Sequence, residues 1–393
     1  MKEIVIASAV RTPIGSFLGG LQDVSAVELG AHVIQEALKR ANVPGEAVDE
    51  VLMGNVLQAG LGQNPARQAQ MKAGIPYTAN ATTINIVCGS GLKAVMQAVQ
   101  TIRSGEAQLM VAGGMENMSQ APYILKKART GYRMGDGQLV DVMMNDGLAC
   151  AILDIGMGIT AESIAAKYGI TREEQDAFAL SSQQKVEQAR LTGMFDEELT
   201  PVTYFDKKGK PVSIVADEHP RAGMTIDMLA KLKPSFQRDG SVTAGNSSGI
   251  NDGAAAVVVC SKERAMELDL QPLAKIRSFA AAGVDPAYMG LGPVPAVRLA
   301  LQSAGLTMND IGLVELNEAF SVQSLAVMRD LELDPSIVNP YGGAIALGHP
   351  IGASGARVLT TLLHGMKRRS VELGLVSLCV GGGQGVAMVV EQL

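Results

Sequence analysis

The sequence predicts an α/β fold built from two similar halves, and three observations lead to this prediction. Two stretches of the first half, 37–55 and 87–114, recur in the second half as 300–318 and 349–382, in the same order and at nearly the same spacing. Strand-like runs such as "AAAVVVC" are continuously apolar rather than alternating, which is typical of sheets covered by helices on both faces. The 44 glycines among 393 residues suit a fold with many tight turns between strands and helices.

The segment between the repeats has a different composition and is predicted to be an insertion. It is rich in methionine and glycine, and it contains a polar helix with Thr171 as N-cap and Glu174 at the third helical position. Insertions at the functional edge of a scaffold commonly form binding walls, so a ligand is expected here. The predicted parts are an N-terminal half of residues 1–117 and 248–268, an inserted loop domain of residues 118–247, and a C-terminal half of residues 269–393.

Charge and composition argue against several classes of partner. A net charge of −6 disfavours nucleic acid or an anionic membrane surface as the main partner. No apolar run is long enough to span a membrane, and the run from Ile4 to Val10 predicts a buried first strand rather than a secretory signal. The four cysteines form no C-x-x-C pair and no metal-ligand pattern. These features predict a cytoplasmic protein with free thiols and no metal site.

A cysteine and a histidine occupy equivalent turns of the two repeats. Cys88 precedes the predicted helix "LKAVMQAVQTIRSG", whose first-turn amides and dipole are expected to favour a nucleophilic thiolate. His349 lies in the matching turn, "LGHPIGASG", so packing of the repeats would bring the two helix starts together. Both are candidates for chemistry, while a core cysteine and a structural histidine are the ordinary alternatives.

Two strand ends add further candidates. Cys379 ends a buried strand just before three glycines, where backbone amides can approach a substrate and a second thiol could carry a proton. Asn317 follows the strand "GLVEL", where a side-chain amide can orient water or donate to an oxyanion. The stretch "GGGQG" lacks G-x-G-x-x-G spacing and precedes a strand, which argues against a dinucleotide site.

Over nearly the whole chain, these motifs together resemble the thiolase family. Several separated motifs occur in the family's order, which makes chance similarity implausible, and the nearest likeness is to its short-chain, biosynthetic members. The motifs are "NIVCGSG" at 85–91, "GGMENMS" at 113–119, "NEAF" at 317–320, "GGAIALGHPIGASGAR" at 342–357 and "CVGGGQG" at 379–385.

The resemblance implies two five-stranded halves in five α-β-α-β-α layers and acetyl-CoA C-acetyltransferase activity, the reversible ping-pong condensation of two acetyl-CoA to acetoacetyl-CoA and CoA. Cys88 would be the nucleophile that carries the acetyl group, and His349 would activate the Cys88 thiol. Cys379 would remove a methyl proton from the second acetyl-CoA. Asn317, through a water molecule, and His349 would stabilise the enolate, while the amides of Cys88 and Gly381 would face the oxyanion of the acyl-enzyme. Coenzyme A thioesters would be substrates, with no permanently bound cofactor, and the assembly would be a homodimer or a dimer of dimers.

A coenzyme A site is also implied by the resemblance. Arg221 would face the phosphorylated adenosine end of coenzyme A, and the Met289 side chain would form the bottom of a short acyl pocket. The other residues carried over are Leu148, Met157, Phe236, Ala244, Ser248, Ile250, Ala319 and Phe320. Gly156 stands where many relatives have His, and Met228 stands where many have Ser. These differences predict weaker or rearranged binding of coenzyme A, with catalysis retained.

Three alternatives remain open from the sequence. The first is a degradative 3-ketoacyl-CoA thiolase that accepts longer acyl chains. The second belongs to another class, a thiolase-like acyl-CoA or lipid-binding protein without turnover. The third adds to the enzyme hypothesis, since Cys88 and Cys379 could oxidise to a disulfide that switches activity off.

Overall fold

The computed structural model describes residues 2–393. Its strands are β1 (Ile4–Arg11), β2 (Gly15–Ser16), β3 (Glu50–Gly54), β4 (Asn80–Ile84), β5 (Leu109–Asn117), β6 (Tyr123–Ile124), β7 (Val140–Asp141), β8 (Ala149–Cys150), β9 (Ile155–Gly156), β10 (Val202–Phe205), β11 (Pro211–Ile214), β12 (Asn251–Ser261), β13 (Ala274–Gly283), β14 (Leu313–Leu316), β15 (Leu373–Val380) and β16 (Gln384–Gln392). Its α-helices are α1 (Ala26–Ala41), α2 (Pro65–Lys72), α3 (Ser90–Ser104), α4 (Met157–Tyr168), α5 (Arg172–Leu191), α6 (Ile226–Ala230), α7 (Lys262–Glu267), α8 (Pro293–Ala304), α9 (Ser321–Asp330), α10 (Ala344–Leu347) and α11 (Ile351–Arg369). Short 3₁₀-helices span Gly45–Ala47, Pro286–Leu291 and Met308–Asp310, and a π-helix spans Met143–Leu148.

The main strands form one continuous mixed sheet in the order β14-β15-β16-β13-β1-β12-β5-β3-β4, with β2 paired to β12. Strand β3 runs parallel to β4 and β5, and β14 runs parallel to β15. The two halves join where β1 pairs antiparallel with β13, placing Val5 opposite Lys275. The sheet therefore consists of two half-sheets connected along one edge.

The predicted duplication is confirmed by the order of the elements. The N-terminal series β1-α1-β3-α2-β4-α3-β5-β12 is matched by β13-α8-β14-α9-α11-β15-β16. In the second series the counterpart of β4 is a single bridge between Val314 and Val338, so that half has four strands and a bridge rather than five strands. Pairing stops after this bridge because Asn339 has φ of 43° and its side chain occupies both backbone groups of Leu316. The Leu316 amide donates to Asn339 Oδ1 at 2.8 Å, and Asn339 Nδ2 donates to the Leu316 carbonyl oxygen at 2.8 Å.

Apolar contacts confirm the five α-β-α-β-α layers. Helices α3 and α11 lie between the half-sheets, because Val95 and Leu359 share one buried cluster with Met110 of β5 and Met388 of β16. Helices α1 and α2 cover the outer face of the N-terminal half-sheet, and α8 covers the outer face of the other. Each half-sheet is thus covered on both faces, as the continuously apolar strands predict.

The inserted segment lies between β5 and β12 and carries β6 to β11 and α4 to α6. Helix α5 begins with the predicted capping box, in which the Glu174 amide donates to Thr171 Oγ1 at 3.2 Å. Arg11 of β1 binds two carboxylates of the insertion, Glu198 Oε1 at 2.6 Å and Asp217 Oδ1 at 2.7 Å. Within residues 2–393, no helix combines the length and apolarity needed to cross a membrane.

Candidate active site

The turn before α3 holds Cys88 next to a strained residue. Val87 has φ of 53°, in the left-handed region that a β-branched residue rarely adopts. The Ser90 hydroxyl donates to the Val87 carbonyl oxygen at 2.6 Å and accepts from the Ile86 amide at 2.9 Å. These two hydrogen bonds help to hold the turn in its strained conformation.

This turn packs against the end of β15 in the other half of the chain. A methyl group added at Gly89 would lie 2.7 Å from Val380 Cγ2, so the close approach requires glycine. A methyl group added at Gly381 would lie 3.3 Å from Val87 Cγ1. The structure therefore brings Cys88 beside a segment that is distant in the sequence.

The starts of α3 and α11 meet through glycines. A methyl group at Gly91 would lie 2.7 Å from the amide nitrogen of Ala356, and one at Gly355 would overlap the amide nitrogen of Leu92. Side chains at these positions would separate the helices. The expectation that the two helix starts come together is therefore met.

A buried carboxylate fixes this contact from the N-terminal half. The Glu116 carboxylate accepts hydrogen bonds from the amides of Val56 at 3.0 Å, Leu57 at 3.1 Å and Gly352 at 2.9 Å, and from Asn55 Nδ2 at 2.8 Å. Burial raises the pKa of Glu116 to about 7, while the amide donors oppose the rise. Glu116 thereby ties the first turn of α11 to the loop after β3.

The Cys88 thiol is protonated at rest. Burial of its sulfur raises the pKa to about 11, although the amides of Gly381 and Cys88 donate to the sulfur and oppose this rise. The nearby negative charge of Glu116 raises the pKa of Cys88 further. The expectation that the helix start favours a resting thiolate is therefore wrong, because α3 begins only at Ser90 and desolvation outweighs the amide donors. Cys88 consequently needs a base when it reacts.

His349 lies in a turn that Asn251 holds in place. The His349 amide donates to Asn251 Oδ1 at 2.9 Å, and Asn251 Nδ2 donates to the Gly15 carbonyl oxygen at 2.9 Å. Gly348 has φ of 107°, and a methyl group there would lie 2.5 Å from Asn251 Cγ, so both conformation and space require glycine. Burial, followed by the positive charge of Arg357, lowers the pKa of His349 to about 3. The imidazole is therefore neutral near pH 7.

Hydrogen bonding identifies the tautomer of this neutral imidazole. Ser354 Oγ lies 2.6 Å from His349 Nδ1 and 2.9 Å from the Pro350 carbonyl oxygen. The carbonyl can only accept, so it takes the single hydroxyl proton, and Nδ1–H must donate to Ser354 Oγ. His349 Nε2 then carries a lone pair and can accept a proton.

The buried Asn317 follows β14 and faces this lone pair. Its Nδ2 lies 3.5 Å from His349 Nε2, and its Oδ1 lies 3.5 Å from Arg357 Nη2. Its backbone amide donates to the Ser377 carbonyl oxygen at 3.0 Å, which aligns the ends of β14 and β15. Asn317 is therefore placed to present an amide donor beside His349.

Cys379 lies at the end of β15 and is almost fully buried. Burial raises the pKa of its thiol, and the negative charge that a Cys88 thiolate would carry adds to the rise. The two sulfurs are thus close enough to influence each other. Within residues 2–393, no group of three or more His, Cys, Asp or Glu side chains is arranged to hold a metal ion.

Two apolar clusters surround the candidate catalytic residues. The first contains Cys88 and the second contains Cys379. The residues carried over for coenzyme A divide between them, with Leu148 and Ile250 in the first and Met157, Met289, Ala319 and Phe320 in the second. Each thiol therefore lies beside its own set of candidate binding residues.

Other candidate binding residues connect to the second cluster. The Phe236 ring meets the Phe320 ring edge-on with centroids 6.1 Å apart, and the Ser248 amide donates to the Ala319 carbonyl oxygen at 2.9 Å. Ala244 is exposed on the loop that leads to Ser248.

Arg221 lies at the surface of the insertion. Its amide donates to Gln183 Oε1 at 3.0 Å, whereas its guanidinium forms no ion pair with any residue in the range 2–393. Two residues before it, His219 packs against Gly249, the neighbour of Ser248. The charge of Arg221 is therefore available near the candidate coenzyme A residues.

The two departures from the family pattern occupy open positions. Gly156 is the N-cap of α4, and a methyl group there would meet no atom within 4 Å. Met228 lies on α6 with 51% of its surface exposed. Larger or different side chains would fit at both sites without rearranging the core.

Sequence reasoning missed four residues that support the site, Asn251, Glu116, Ser354 and Arg357. Ser354 and Arg357 lie within the quoted motif "GGAIALGHPIGASGAR", and Glu116 lies within "GGMENMS", but none of them was given a role. Ser354 lies five residues after His349, in the first turn of α11, and His349 itself precedes that helix, so helical spacing did not indicate the pair.

Comparison with known proteins agrees with this geometry. The thiolase N-terminal domain family matches residues 4–263, and the thiolase C-terminal domain family matches residues 270–392. An acetyl-CoA acetyltransferase of Escherichia coli (strain K12) is 58% identical over 394 residues, covering 100% of both chains, and one of Cupriavidus necator is 57% identical over 392 residues with the same coverage. The crystal structure of the Bacillus anthracis acetyl-CoA acetyltransferase superimposes with a TM-score of 0.98 at 47% identity, covering 100% of this chain and 99% of that one.

Both domains are matched in order, and the relatives are aligned over their full length. By sequence, by fold and by the arrangement of its two halves, the chain belongs to the thiolase family.

Proposed function

We propose that this protein is an acetyl-CoA C-acetyltransferase that condenses two acetyl-CoA molecules reversibly into acetoacetyl-CoA and CoA. The observation that carries the proposal is the neutral His349, whose free Nε2 lies beside Asn317 at the junction where the Cys88 turn meets the other half. The full-length relatives named acetyl-CoA acetyltransferase support the same reaction.

The first half-reaction transfers an acetyl group to Cys88. His349 Nε2 accepts the thiol proton as the sulfur attacks the thioester carbonyl, and the amides of Cys88 and Gly381, which donate to the sulfur at rest, would stabilise the oxyanion. The C–S bond to coenzyme A breaks, and its thiolate takes the proton from the imidazolium. The products are acetyl-Cys88 and free CoA, which is the basis of ping-pong kinetics.

The second half-reaction forms the carbon–carbon bond. Cys379 gives its thiol proton to the imidazole of His349, and the resulting thiolate removes a proton from the methyl group of the second acetyl-CoA. Its raised pKa makes that thiolate a strong base. Acetylation removes the charge that Cys88 could carry, which eases ionisation of Cys379. Asn317 Nδ2, acting through a water molecule, and protonated His349 would stabilise the enolate. The enolate carbon then attacks the carbonyl carbon of acetyl-Cys88, the C–S bond breaks, and the Cys88 thiolate takes the proton from the His349 imidazolium.

The acyl pocket is proposed to be short. Met289 is 3% exposed and packs in one cluster with Cys379, Ala319 and Phe320, so its side chain would close the pocket beneath an acetyl group. Rates with 3-ketoacyl-CoA substrates of increasing chain length test this point. A broad profile would favour the degradative alternative.

A product assay with acetyl-CoA alone tests the proposed function. The wild-type protein is expected to release acetoacetyl-CoA and free CoA, and Cys88→Ala is expected to release neither. A wild-type protein that binds acetyl-CoA without forming either product would instead indicate a binding protein.

The assembly is proposed to be a homodimer or a dimer of dimers. Segment 118–142 of the insertion exposes apolar side chains that a partner subunit could cover, namely Tyr123, Leu125, Tyr132, Met134 and Leu139. The molar mass in solution, measured by light scattering, distinguishes a monomer from these states.

A further inference from the structure

Arg357 of α11 is a buried cation with one protein partner. It is 1% exposed, and its only hydrogen bond within residues 2–393 runs from Nη2 to Asn317 Oδ1 at 3.5 Å. Its Nε and Nη1 reach no acceptor in that part of the chain. The one hydrogen bond of this buried guanidinium is therefore made to Asn317, which lies beside the imidazole of His349.

This contact decides which way the Asn317 amide faces. A guanidinium has only donors, so it can meet the amide oxygen but repels the amide NH₂ group. With Oδ1 turned towards Arg357, Nδ2 must point to the opposite side, where it lies 3.5 Å from His349 Nε2. The reversed amide would place two donors and a full positive charge against each other.

A second hydrogen-bond chain reaches the same orientation independently. Ser354 keeps the proton of His349 on Nδ1, which leaves Nε2 as an acceptor facing Asn317 Nδ2. The arrangement is consistent only when Asn317 presents its NH₂ group to the imidazole. Arg357 and Ser354, one helical turn apart on α11, thus orient the two neighbouring side chains.

We propose that Arg357 is a positioning residue for the enolate-forming step, because its guanidinium locks the Asn317 amide with the NH₂ group turned towards the reacting atoms. This inference rests on the proposed function. It assigns Arg357 no contact with substrate, and it predicts a defect confined to the step that uses Asn317. Acetylation of Cys88 does not use the Asn317 amide. Loss of Arg357 also removes a positive charge that lowers the pKa of His349, which makes the imidazole a stronger base, so acetylation should not slow.

The surroundings of Arg357 determine how the test is built. Glu315 on β14 is a nearby buried carboxyl group that interacts electrostatically with Arg357, and its two carboxyl oxygens form no hydrogen bond within residues 2–393. Burial raises the pKa of Glu315 to about 8, so its side chain is largely protonated near pH 7 and Gln is a close neutral substitute. Removing Arg357 alone would take away the cation that opposes this rise. Arg357→Met with Glu315→Gln therefore removes the positioning group while limiting the cost to folding.

The experiment measures the two half-reactions separately in full-length variants. Arg357→Met, alone and with Glu315→Gln, is expected to slow exchange of the acetyl-CoA methyl hydrogens with solvent by about 10- to 100-fold. Acetylation of Cys88, followed by mass spectrometry, should slow by less than about threefold. Arg357→Lys, which keeps a donor-only cation, should recover part of the exchange rate. Glu315→Gln alone is the matched control and should leave both rates near those of the wild type.

A double-mutant cycle with Asn317→Ala completes the test. Once the amide is absent, replacing Arg357 should cost less than about threefold further in exchange, because the residue acts through Asn317. Equal losses in both half-reactions, or full additivity with Asn317→Ala, would overturn the inference. A wild-type protein that forms no acetoacetyl-CoA would overturn the proposed function instead, so the two failures are distinguishable.

Discussion

The duplicated halves place a similar turn at the start of α3 and of α11, yet the two turns are supported differently. The Cys88 turn is partly exposed, contains the strained Val87 and is held mainly by Ser90. The His349 turn is buried and held by Gly348, Asn251 and Ser354. Duplication of a half would give the two turns the same backbone surroundings. The chemical difference between them therefore comes from the side chains that contact each turn. In the proposed reaction, one turn presents a thiol that loses a proton, and the other presents a neutral imidazole whose Nε2 can accept it.

The largest effect should come from removing the nucleophile of the first turn. Cys88→Ser is expected to lower condensation by on the order of 10⁴-fold or more, because an alcohol at this position has no base strong enough to activate it fully. Initial rates of acetoacetyl-CoA formation measure the loss. Cys260→Ser is the matched control, since Cys260 lies buried in β12 and outside both clusters of the site. A Cys88→Ser protein that retains near-normal rates would contradict the role of this turn.

Removing the base of the second turn should have the next largest effect. His349→Gln keeps a polar side chain but cannot accept the thiol proton, and acetylation of Cys88 is expected to slow by about 10²- to 10⁴-fold. Rapid-quench mass spectrometry of the acetyl-enzyme measures this step. His364→Gln serves as the control, because His364 bonds to the Ala9 carbonyl oxygen away from the site. Equal effects of the two histidine variants would mean that the comparison of the turns is wrong.

The resting protonation states can be tested without substrate. Because burial raises the pKa of Cys88 to about 11 and lowers that of His349 to about 3, the thiol and the imidazole are both neutral near pH 7. Alkylation of Cys88 by iodoacetamide should therefore accelerate about tenfold per pH unit from about pH 7 towards about pH 10. A rate that is already constant above about pH 6 would reveal a preformed thiolate–imidazolium pair.

How far the sequence predicts this molecule depends on the kind of information needed. Repeated patterns and apolar runs predicted the two halves, sheets covered by helices on both faces and the meeting of the Cys88 and His349 turns, since these follow from periodicity along the chain. The five layers were predicted from the resemblance to the thiolase family. The protonation state of Cys88 was predicted wrongly, because it depends on how deeply the sulfur is buried and on Glu116, which comes from a different strand. Ser354 and Arg357 were missed because their roles lie in hydrogen-bond direction, which composition and spacing do not encode.

A smaller effect should follow from loosening the His349 tautomer. Ser354→Ala removes the acceptor that keeps the proton on Nδ1, so both tautomers become available and kcat is expected to fall by about 10- to 100-fold with little change in KM. Steady-state kinetics measure the change. Ser354→Thr retains a hydroxyl and is expected to recover part of the loss. An unchanged kcat in Ser354→Ala would show that the tautomer is fixed by another group.

The smallest effect should come from a change that leaves both turns intact. Gly156→His introduces the side chain that the resemblance to the family leads us to expect at this position, and the open space at this N-cap admits it. Coenzyme A affinity, measured by calorimetry, is expected to rise by about threefold to tenfold through one added hydrogen bond, with acetylation of Cys88 unchanged. An unchanged affinity would count against a pantetheine contact at this position.

The most direct test of the central claim locates the acetyl group. The protein is mixed with acetyl-CoA, quenched in acid, digested and examined by mass spectrometry. The account predicts one acetyl group on the peptide containing Cys88, its loss when CoA is added, and its absence in Cys88→Ser. An acetyl group that accumulates on Cys379 instead, or condensation that proceeds with no acetylated peptide, would contradict the assignment of the nucleophile to the first turn.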